Sequence, residues 1–305
     1  MIRQFFLTCC FLTAWSSAQV VSKTAIDFCS VEKQDCGRGI CESHRLGNRC
    51  KCPRGWMGRG CSRPCQDVYR SCARWKEERR CSWTRPISPF FADNCALSCG
   101  SCEGNGKRLP LTLPPILDNI AWLVGRWETR TNAGDRFPEP IDGAYREILE
   151  VQISDVPSFD RPPVNISTLA ISINGDDIHR ELGFMTSKPF NEDTGFIDEN
   201  KPKLGEDKVA IETVGNTGMM IIEEGIIRDK SIKLETTYKK SILGSHMEFQ
   251  NSRRMFLLIQ PDLLEERVIM TDSRGQTRKW LKRYRRTFDY LHNIVSVDDV
   301  DLRLP

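Results

Sequence analysis

The sequence contains no cysteine after Cys102, and all 14 of its cysteines lie between Cys9 and that residue. Such a split predicts small disulfide-stapled modules followed by a domain that is stabilised by burial of apolar side chains. The sequence also has no excess of one charge, since 44 basic and 41 acidic residues leave a net charge of +3. This balance gives no reason to expect a nucleic acid partner, which a strongly basic chain would attract.

Familiar catalytic motifs are absent as well. The sequence has only four histidines, and it lacks zinc-ligand spacing, a phosphate-binding loop and a Ser/His/Asp arrangement. We therefore predict no catalytic residue, no metal site and no enzymatic activity.

An apolar segment at the N-terminus predicts secretion. Arg3 supplies a positive charge, residues 5–15 are mostly apolar, and residues 16–18 are small enough for cleavage by a signal peptidase. The segment is shorter than the ~20 apolar residues of a membrane-spanning helix. Residues 1–18 are therefore predicted to be the signal peptide of a secreted protein. The alternative is a type II membrane protein that keeps this segment as a signal-anchor.

The first module, residues 27–62, contains the cysteines Cys29, Cys36, Cys41, Cys50, Cys52 and Cys61. The segment from Cys50 to Gly58 reads C-x-C-P-x-G-W-x-G, in which proline and glycine favour tight turns. This pattern resembles the second half of an EGF-like domain, and the resemblance implies the bridges Cys29–Cys41, Cys36–Cys50 and Cys52–Cys61. Asp27 is a lone carboxylate before the first cysteine, and calcium needs about 6–8 oxygen ligands. We therefore predict no calcium site.

The second module, residues 65–102, contains the cysteines Cys65, Cys72, Cys81, Cys95, Cys99 and Cys102. Its C-x3-C-x2-C ending, together with Asp67 and Trp75, resembles the ShKT domain. The resemblance implies the bridges Cys65–Cys102, Cys72–Cys95 and Cys81–Cys99. Channel-blocking members carry a Lys-Tyr pair between the third and fourth cysteines, and this chain has none there. This absence argues against channel block, and a toxin-like ion-channel modulator is kept only as a further alternative function.

The remaining chain has the hydrophobic pattern of short strands. A predicted linker at residues 103–115 begins with a glycine-containing hinge. Alternating or apolar runs follow at 145–153, 168–173, 208–214, 219–224, 231–238, 255–259, 264–270 and 277–285. Roughly eight to ten short strands without long helical patterns predict an antiparallel barrel or sandwich. We place this domain at residues 116–286 and a tail at 287–305.

Three segments of this domain resemble the nitrobindin family. They are residues 122–127, residues 179–184, and residues 216–218 followed by 223–225. The resemblance implies a lipocalin-like beta barrel that binds haem, with links to nitric oxide binding and peroxynitrite isomerisation. The expected fold is therefore two small disulfide-rich modules followed by an antiparallel lipocalin-like beta barrel.

The resemblance also indicates which residues line the pocket. Family members ligate haem iron through the histidine of a Met-x9-His-Leu stretch, and here Met270 is followed after nine residues by Trp280. Because an indole nitrogen has no lone pair to offer a metal, we predict no haem cofactor. The barrel would then bind a different, apolar small ligand or no ligand. His179 and Tyr284 are the other pocket candidates.

These predictions combine into an extracellular, non-enzymatic interaction protein. Residues 27–102 would contact an extracellular protein or matrix partner, and Asn165 lies in an N-glycosylation sequon. The order of the modules resembles that of nematode ray-morphogenesis proteins, which implies a cuticle or epidermal-surface location and a role in tissue morphogenesis. A secreted haem-binding or nitrogen-oxide-handling barrel is the main alternative.

Overall fold

The computed structural model describes residues 36–44, 47–58, 60–84, 90–154, 162–188, 207–241, 249–292 and 295–296. The predicted signal peptide, the predicted Cys29–Cys41 bridge through its Cys29, and most of the predicted tail lie outside these residues.

The cysteine-rich region is built from short elements. Two hairpins come first, β1 (Ile40–His44) with β2 (Gly47–Lys51) and β3 (Trp56–Met57) with β4 (Arg63–Pro64). Three short helices follow, α1 (Cys72–Glu77), α2 (Arg80–Trp83) and α3 (Phe90–Asn94). Disulfides join Cys36 to Cys50, Cys52 to Cys61, Cys65 to Cys102, Cys72 to Cys95, and Cys81 to Cys99.

Aromatic rings cover the sulfur atoms of the second module. Trp75 and Phe91 are buried against Cys72 and Cys95. Their rings meet edge to face with centroids 5.3 Å apart, a favourable geometry for aromatic pairs. Trp83, by contrast, is 60% exposed. Disulfides and a few rings thus replace the apolar core that so small a module cannot build.

The larger domain is a closed barrel of ten antiparallel strands, which confirms the predicted fold class. Strands adjacent in the sequence pair with each other, and the last strand pairs with the first to close the barrel. The strands are β6 (Gly125–Thr131), β7 (Tyr145–Ile153), β8 (Val164–Ser172), β9 (Ile178–Lys188), β10 (Asp207–Gly215), β11 (Met219–Arg228), β12 (Ser231–Ser241), β13 (Phe249–Gln260), β14 (Leu263–Asp272) and β15 (Thr277–Phe288).

A 3-10 helix, η1 (Pro115–Leu123), closes one end of the barrel, which we call the plugged end. Leu117, Ile120 and Leu123 of this helix are buried in the main apolar core. Asn119 Nδ2 donates hydrogen bonds to Ser187 Oγ at 2.6 Å and to Asp207 Oδ2 at 2.9 Å. The helix is thereby fixed to the last residues of β9 and the first of β10.

The opposite end of the barrel, which we call the loop end, carries the connections 132–144, 173–177, 216–218 and 273–276. The longest of these folds into the barrel mouth, because Arg136 and Phe137 are 1% and 5% exposed. Side chains of the loop end therefore contact residues that face the barrel interior.

The part of the predicted linker after its glycine-containing hinge packs against its neighbours. Leu109 and Leu113 are buried, because an extended, proline-rich segment presents both leucines to apolar surroundings. The backbone N–H of Leu109 donates to Gln66 Oε1 at 2.7 Å. Strand β5 (Lys107–Arg108) also pairs with β16 (Val295–Ser296), which belongs to the predicted tail.

A buried ion pair joins the short segment between the two modules to the barrel. Arg63 Nη2 lies 2.5 Å from Asp118 Oδ1 on the 3-10 helix, and the two side chains are 2% and 9% exposed. The cysteine-rich region is therefore attached to the plugged end of the barrel.

Candidate functional site

The inner face of the barrel carries a layer of buried charges, which we call the ion layer. It consists of four carboxylates and three cations: Glu147, Glu181, Glu223, Glu266, Arg136, Arg254 and Lys282. Charges of opposite sign alternate from Glu181 to Glu223, so that each cation contacts two carboxylates. Buried charges in proteins persist when they are paired in this way.

Lys282 is at the centre of the ion layer. Its Nζ lies 2.8 Å from Glu147 Oε2 and 2.9 Å from Glu266 Oε2. On one side, Arg136 contacts Glu147 at 3.7 Å and also binds Glu181.

On the other side of the layer, Arg254 Nη1 lies 3.4 Å from Glu266 Oε1 and Arg254 Nε lies 3.1 Å from Glu223 Oε1. The chain of contacts thus follows the inner wall of the barrel from β9, by way of β7, β15, β14 and β13, to β11.

Burial and neighbouring charges shift the pKa values of this layer in opposite directions. Burial alone would raise the pKa of Glu266, but the charges of Lys282 and Arg254 outweigh it and hold the pKa at about 2. The pKa of Glu223 is raised, because burial outweighs the single cation Arg254 beside it. Burial would lower the pKa of Lys282, yet Glu147 and Glu266 raise it well above its ordinary value.

Tyr284 is held within the ion layer. Its hydroxyl donates to Glu266 Oε2 at 2.9 Å and lies 3.3 Å from Glu147 Oε1. Burial and the two carboxylates raise its pKa well above the ordinary value. A protonated phenol with both carboxylates as partners is not available as a ligand for a metal.

His179 and Trp280 occupy the next positions above the ion layer, toward the loop end. On β9, inward-facing residues alternate, and His179 precedes Glu181 of the ion layer by two positions. On β15, Trp280 precedes Lys282 by two positions in the same way. Both strands start at the loop end, so each side chain lies one inward position closer to that end than the ion-layer residue of its own strand.

The imidazole of His179 has one partner and one open position. The residue is 7% exposed, and its Nε2 lies 3.0 Å from Asp177 Oδ1. Its Nδ1 is buried and has no hydrogen-bond partner. When Nε2–H donates to Asp177, the neutral ring keeps its lone pair on Nδ1.

The indole nitrogen of Trp280 also lacks a partner, but it is a hydrogen-bond donor and not an acceptor. Its ring packs against an apolar cluster, defined here as the apolar layer: Phe137, Met219, Ile221, Phe249, Val268 and Met270. Its Nε1 is buried and lacks a partner, so one N–H donor is left unsatisfied.

These residues can be tested against the haem group that the sequence resemblance implies. Haem iron needs an axial His, Cys, Met or Tyr ligand. Trp280 provides no lone pair, and Tyr284 is held by two carboxylates. The Nδ1 atom of His179 is a buried imidazole nitrogen with a lone pair and no partner. Of these side chains in the described part of the chain, His179 alone keeps an open lone pair, and residue 280 cannot ligate iron.

The other predicted sites are distributed over the molecule. Asn165 lies on β8 with its side chain on the outer face of the barrel, between the buried residues Val164 and Ile166. Within the described residues no group of three or more His, Cys, Asp or Glu side chains is placed to hold a metal ion. Every helix in the described part of the chain is too short or too polar to span a membrane.

Sequence reasoning missed the ion layer. The sequence nevertheless contains an indication of it. Glu147 lies on the same face of its strand as the buried Tyr145, Leu149 and Val151. A charged residue in the inward phase of an otherwise apolar strand predicts a buried ion pair.

Comparison with known proteins adds two family matches. Residues 116–286 match the family described as THAP4-like, heme-binding beta-barrel domain. Residues 64–102 match the family described as ShK domain-like, which supports the predicted ShKT resemblance. The EGF-like module and the role in morphogenesis stay predictions from the sequence.

Individual relatives were also found. The chain is 27% identical over 218 residues to the uncharacterized protein C28H8.5 of Caenorhabditis elegans, covering 68% of this chain and 67% of that one. It is 27% identical over 162 residues to the peroxynitrite isomerase THAP4 of Rattus norvegicus and 25% identical over 165 residues to that of Homo sapiens. The matches cover 53% and 54% of this chain, and the chain spans about a quarter of the length of these isomerases. Among solved structures, Rv2717c of M. tuberculosis is similar with a TM-score of 0.41 and 17% identity, covering 58% of this chain and 99% of that one.

These findings correct one prediction and establish one assignment. The prediction that the chain has no enzymatic activity is wrong, because several relatives of its barrel are named as enzymes, the peroxynitrite isomerases. A family match covers residues 116–286, which is more than half of the sequence. This match establishes the family of the larger domain. The chain belongs to the THAP4-like, heme-binding beta-barrel domain family.

Proposed function

We propose that this chain is an extracellular haem protein whose barrel converts peroxynitrite to nitrate. The proposal is carried by the family match, which spans the same residues as the closed barrel. The names of the relatives supply the reaction. Isomerisation breaks the O–O bond of peroxynitrite and forms a third N–O bond, without net transfer of protons or electrons.

The prediction of a barrel without haem rests on residue 280 alone and stays a prediction. His179 leads us to propose the alternative, because a buried imidazole with an open nitrogen is the ligand type that haem proteins use. Haem supplies, when bound, an iron centre at which nitrogen oxides react. The residues of the barrel bind the group, orient it and keep bulk water away from it.

The ion layer contributes a rigid floor to this site. Its members are held by contacts such as those of Lys282 with Glu147 and Glu266, at 2.8 and 2.9 Å. A network of buried ion pairs fixes side-chain positions more firmly than apolar contacts alone.

The cysteine-rich region determines where this chemistry takes place. We propose that it is secreted, because the disulfides, such as Cys65–Cys102, form and persist in oxidising compartments. We propose that residues 27–102 contact an extracellular protein or matrix partner and hold the barrel beside it. This arrangement would remove peroxynitrite at a cell or matrix surface.

The test uses the full chain secreted from a eukaryotic host and loaded with haemin. Peroxynitrite decay is followed by stopped-flow absorbance, and nitrate and nitrite are quantified afterwards. We expect the loaded chain to accelerate decay and to raise the nitrate fraction above the values for free haemin at equal concentration. If decay and product ratio match those of free haemin, the proposed function is wrong.

A further inference from the structure

The outer face of the barrel carries a group of arginines on four adjacent strands, β14, β15, β6 and β7. Their side chains point away from the interior, because they alternate along each strand with buried residues. Cations therefore gather on one side of a chain whose net charge is only +3. We call this surface the basic wall, and its members are Arg126, Arg130, Arg146, Arg267, Arg283 and Arg285.

A single carboxylate holds two of these arginines in place. The Nε atom of Arg267 lies 2.7 Å from Glu265 Oε1, and the Nε atom of Arg283 lies 3.0 Å from Glu265 Oε2. The side chain of Glu265 is only 2% exposed, whereas both arginines are half-exposed or more. The carboxylate thus lies beneath two cations, and most of their N–H donors are left for another anion.

The neighbouring strands repeat this arrangement. Glu128 lies 3.2 Å from Arg126 Nε and 2.7 Å from Arg146 Nη2. Arg285 lies between the two Arg–Glu–Arg triads, because it is the register partner of Glu128 and the next outward residue after Arg283 on β15. The two triads and Arg285 therefore form one continuous surface with an excess of positive charge.

Parts of the basic wall are poorly balanced by acids. Arg285 is 81% exposed, and its contact with Asp262 is long, at 4.0 Å. Arg130 and Arg146 face each other on paired strands, and like charges directly opposite each other destabilise a sheet. An anionic partner would turn this repulsion into attraction, since complementary potentials favour association.

A shallow cleft adjoins the second triad. It has a volume of about 380 Å³ and is lined by Arg126, Glu128, Thr287, Phe288 and Tyr290. Phe288 is 45% exposed, and its ring centroid lies 5.0 Å from that of Tyr290. The face of an aromatic ring is negative and attracts the slightly positive C–H groups of a sugar. The cleft thus places a guanidinium group beside an aromatic surface, which suits a sugar that carries an anionic group.

We infer that the basic wall binds a sulfated polysaccharide, with its sulfate groups on the arginines and a sugar ring on Phe288. The inference rests on the extracellular location proposed above, and it needs neither haem nor residues 27–102. Guanidinium groups present paired N–H donors that match two oxygens of one oxyanion. Because the arginines are distributed over four strands spaced about 4.8 Å apart, successive sulfate groups of one polysaccharide each meet a cation.

An anionic lipid surface fits the basic wall less well. The exposed Leu281 lies between Lys279 and Arg283 on the outer face of β15, and its register partner is Arg267. Leucine is shorter than the cationic side chains around it, so a bilayer would meet charges before apolar groups. Stable lipid binding by a protein face requires apolar groups that reach the acyl chains.

The partner is tested with the full secreted chain, without haemin, on a biosensor that carries heparin oligosaccharides of defined length. We expect wild type to bind heparin at an ionic strength of about 0.15 M and not to bind the same oligosaccharides after chemical desulfation. Arg283→Gln/Arg285→Gln should bind about fivefold more weakly, as the loss of exposed ion pairs implies, and with a weaker salt dependence. The matched control Arg180→Gln/Lys230→Gln removes the same charge from other exposed positions and should bind as wild type does.

The sugar contact is tested with Phe288→Ala, which removes the exposed ring and keeps every charge. We expect this variant to bind heparin about threefold to tenfold more weakly, the scale of an aromatic contact, with an unchanged salt dependence. Its binding to poly(vinyl sulfate), a polyanion without sugar rings, should equal that of wild type. Unchanged heparin affinity overturns the role assigned to Phe288.

The inference is overturned if wild type fails to bind heparin, or if it binds phosphatidylserine vesicles more tightly than heparin. It is also overturned if Arg283→Gln/Arg285→Gln and its control bind heparin equally, with equal urea midpoints. Should the double variant unfold at a lower urea concentration, Arg285→Gln is compared with Arg180→Gln, and equal heparin affinities then count against the basic wall. Because heparin binding is measured without haemin, its failure leaves the peroxynitrite reaction untouched, and failure of that reaction leaves the basic wall untouched.

Discussion

Lys282→Met tests how far the ion layer stabilises the barrel. The ammonium of Lys282 is 3% exposed and lies within 3 Å of carboxylate oxygens of both Glu147 and Glu266. Methionine has a similar length and no charge, so the substitution leaves space filling nearly unchanged. Two buried carboxylates then lose their shared cation.

The expected cost is about 3–5 kcal/mol, the range for removing one partner of a buried ion pair. The pKa of Glu266 gives a second estimate. Its value of about 2 in the folded state, against an ordinary 4.5, corresponds to about 3 kcal/mol of stability. Part of this comes from Arg254, so the two estimates agree in order of magnitude.

The sign of the pH dependence follows from the lowered pKa of Glu266. Its contribution to the free energy of unfolding is fully present above pH 4.5 and is lost as the pH falls from 4.5 toward 2. In Lys282→Met the pKa of Glu266 should rise, because burial is then opposed only by Arg254 and by the hydrogen bond from Tyr284. The contribution of this carboxyl to acid stability should therefore disappear at a higher pH than in wild type.

The assay is urea denaturation followed by tryptophan fluorescence, at pH 7 and at pH 4. The matched control is Lys279→Met, which removes an exposed lysine from the outer face of the same strand and should change stability by less than about 0.5 kcal/mol. Adding Glu266→Gln to Lys282→Met should recover part of the loss, since the two residues interact directly. If Lys282→Met costs no more than the control, the ion layer does not stabilise the barrel.

Two further predictions concern the backbone and the disulfides. Gly183→Ala should destabilise the barrel by about 1–3 kcal/mol, because a Cβ atom there would overlap the carbonyl oxygen of Glu212 on the adjacent strand. In the control Gly104→Ala the new Cβ atom meets only an ordinary contact at 3.6 Å. Equal urea midpoints for the two variants would contradict this prediction. Replacing Cys65 and Cys102 by serine opens a bridge with a sequence separation of 37 and should lower the free energy of unfolding of the second module by about 4 kcal/mol. The loss should be seen as faster proteolysis of residues 65–102. An unchanged cleavage rate would show that the bridge is dispensable.

Most of the fold was predictable, because alternating apolar and polar residues mark most of its strands. The strand predicted at residues 145–153 is β7, whose buried and more exposed residues alternate throughout. Strands β6 and β9 were recognised only through the family resemblance of their segments. In β9 the outward positions include Leu182 and Phe184, both 53% exposed, so apolar residues on both faces obscure the period of two.

The buried charges could not be paired from the sequence. Glu147 and Lys282 are 135 residues apart in the chain, and nothing local in either strand identifies the partner. Arg136 comes from a connection, where a charged residue ordinarily faces solvent, yet it enters the barrel to meet Glu147 and Glu181. Only the closed topology brings these side chains together.

The candidate site was predictable in its residues but not in its arrangement. His179 and Trp280 were indicated by the family motifs, and the argument against haem considered residue 280 alone. The open Nδ1 of His179 depends on the contact with Asp177, and the packing of Trp280 against the apolar layer depends on strands far apart in the sequence. Both are three-dimensional facts that a single sequence does not contain.

The haem content of the chain purified from its own extracellular source tests the central claim most directly. The measurement is the pyridine haemochrome assay, with protein concentration determined by amino-acid analysis. We predict one haem per chain in material whose cysteines are oxidised. A chain that is correctly folded, carries its disulfides and contains no haem, and that takes up none from added haemin, would contradict the account.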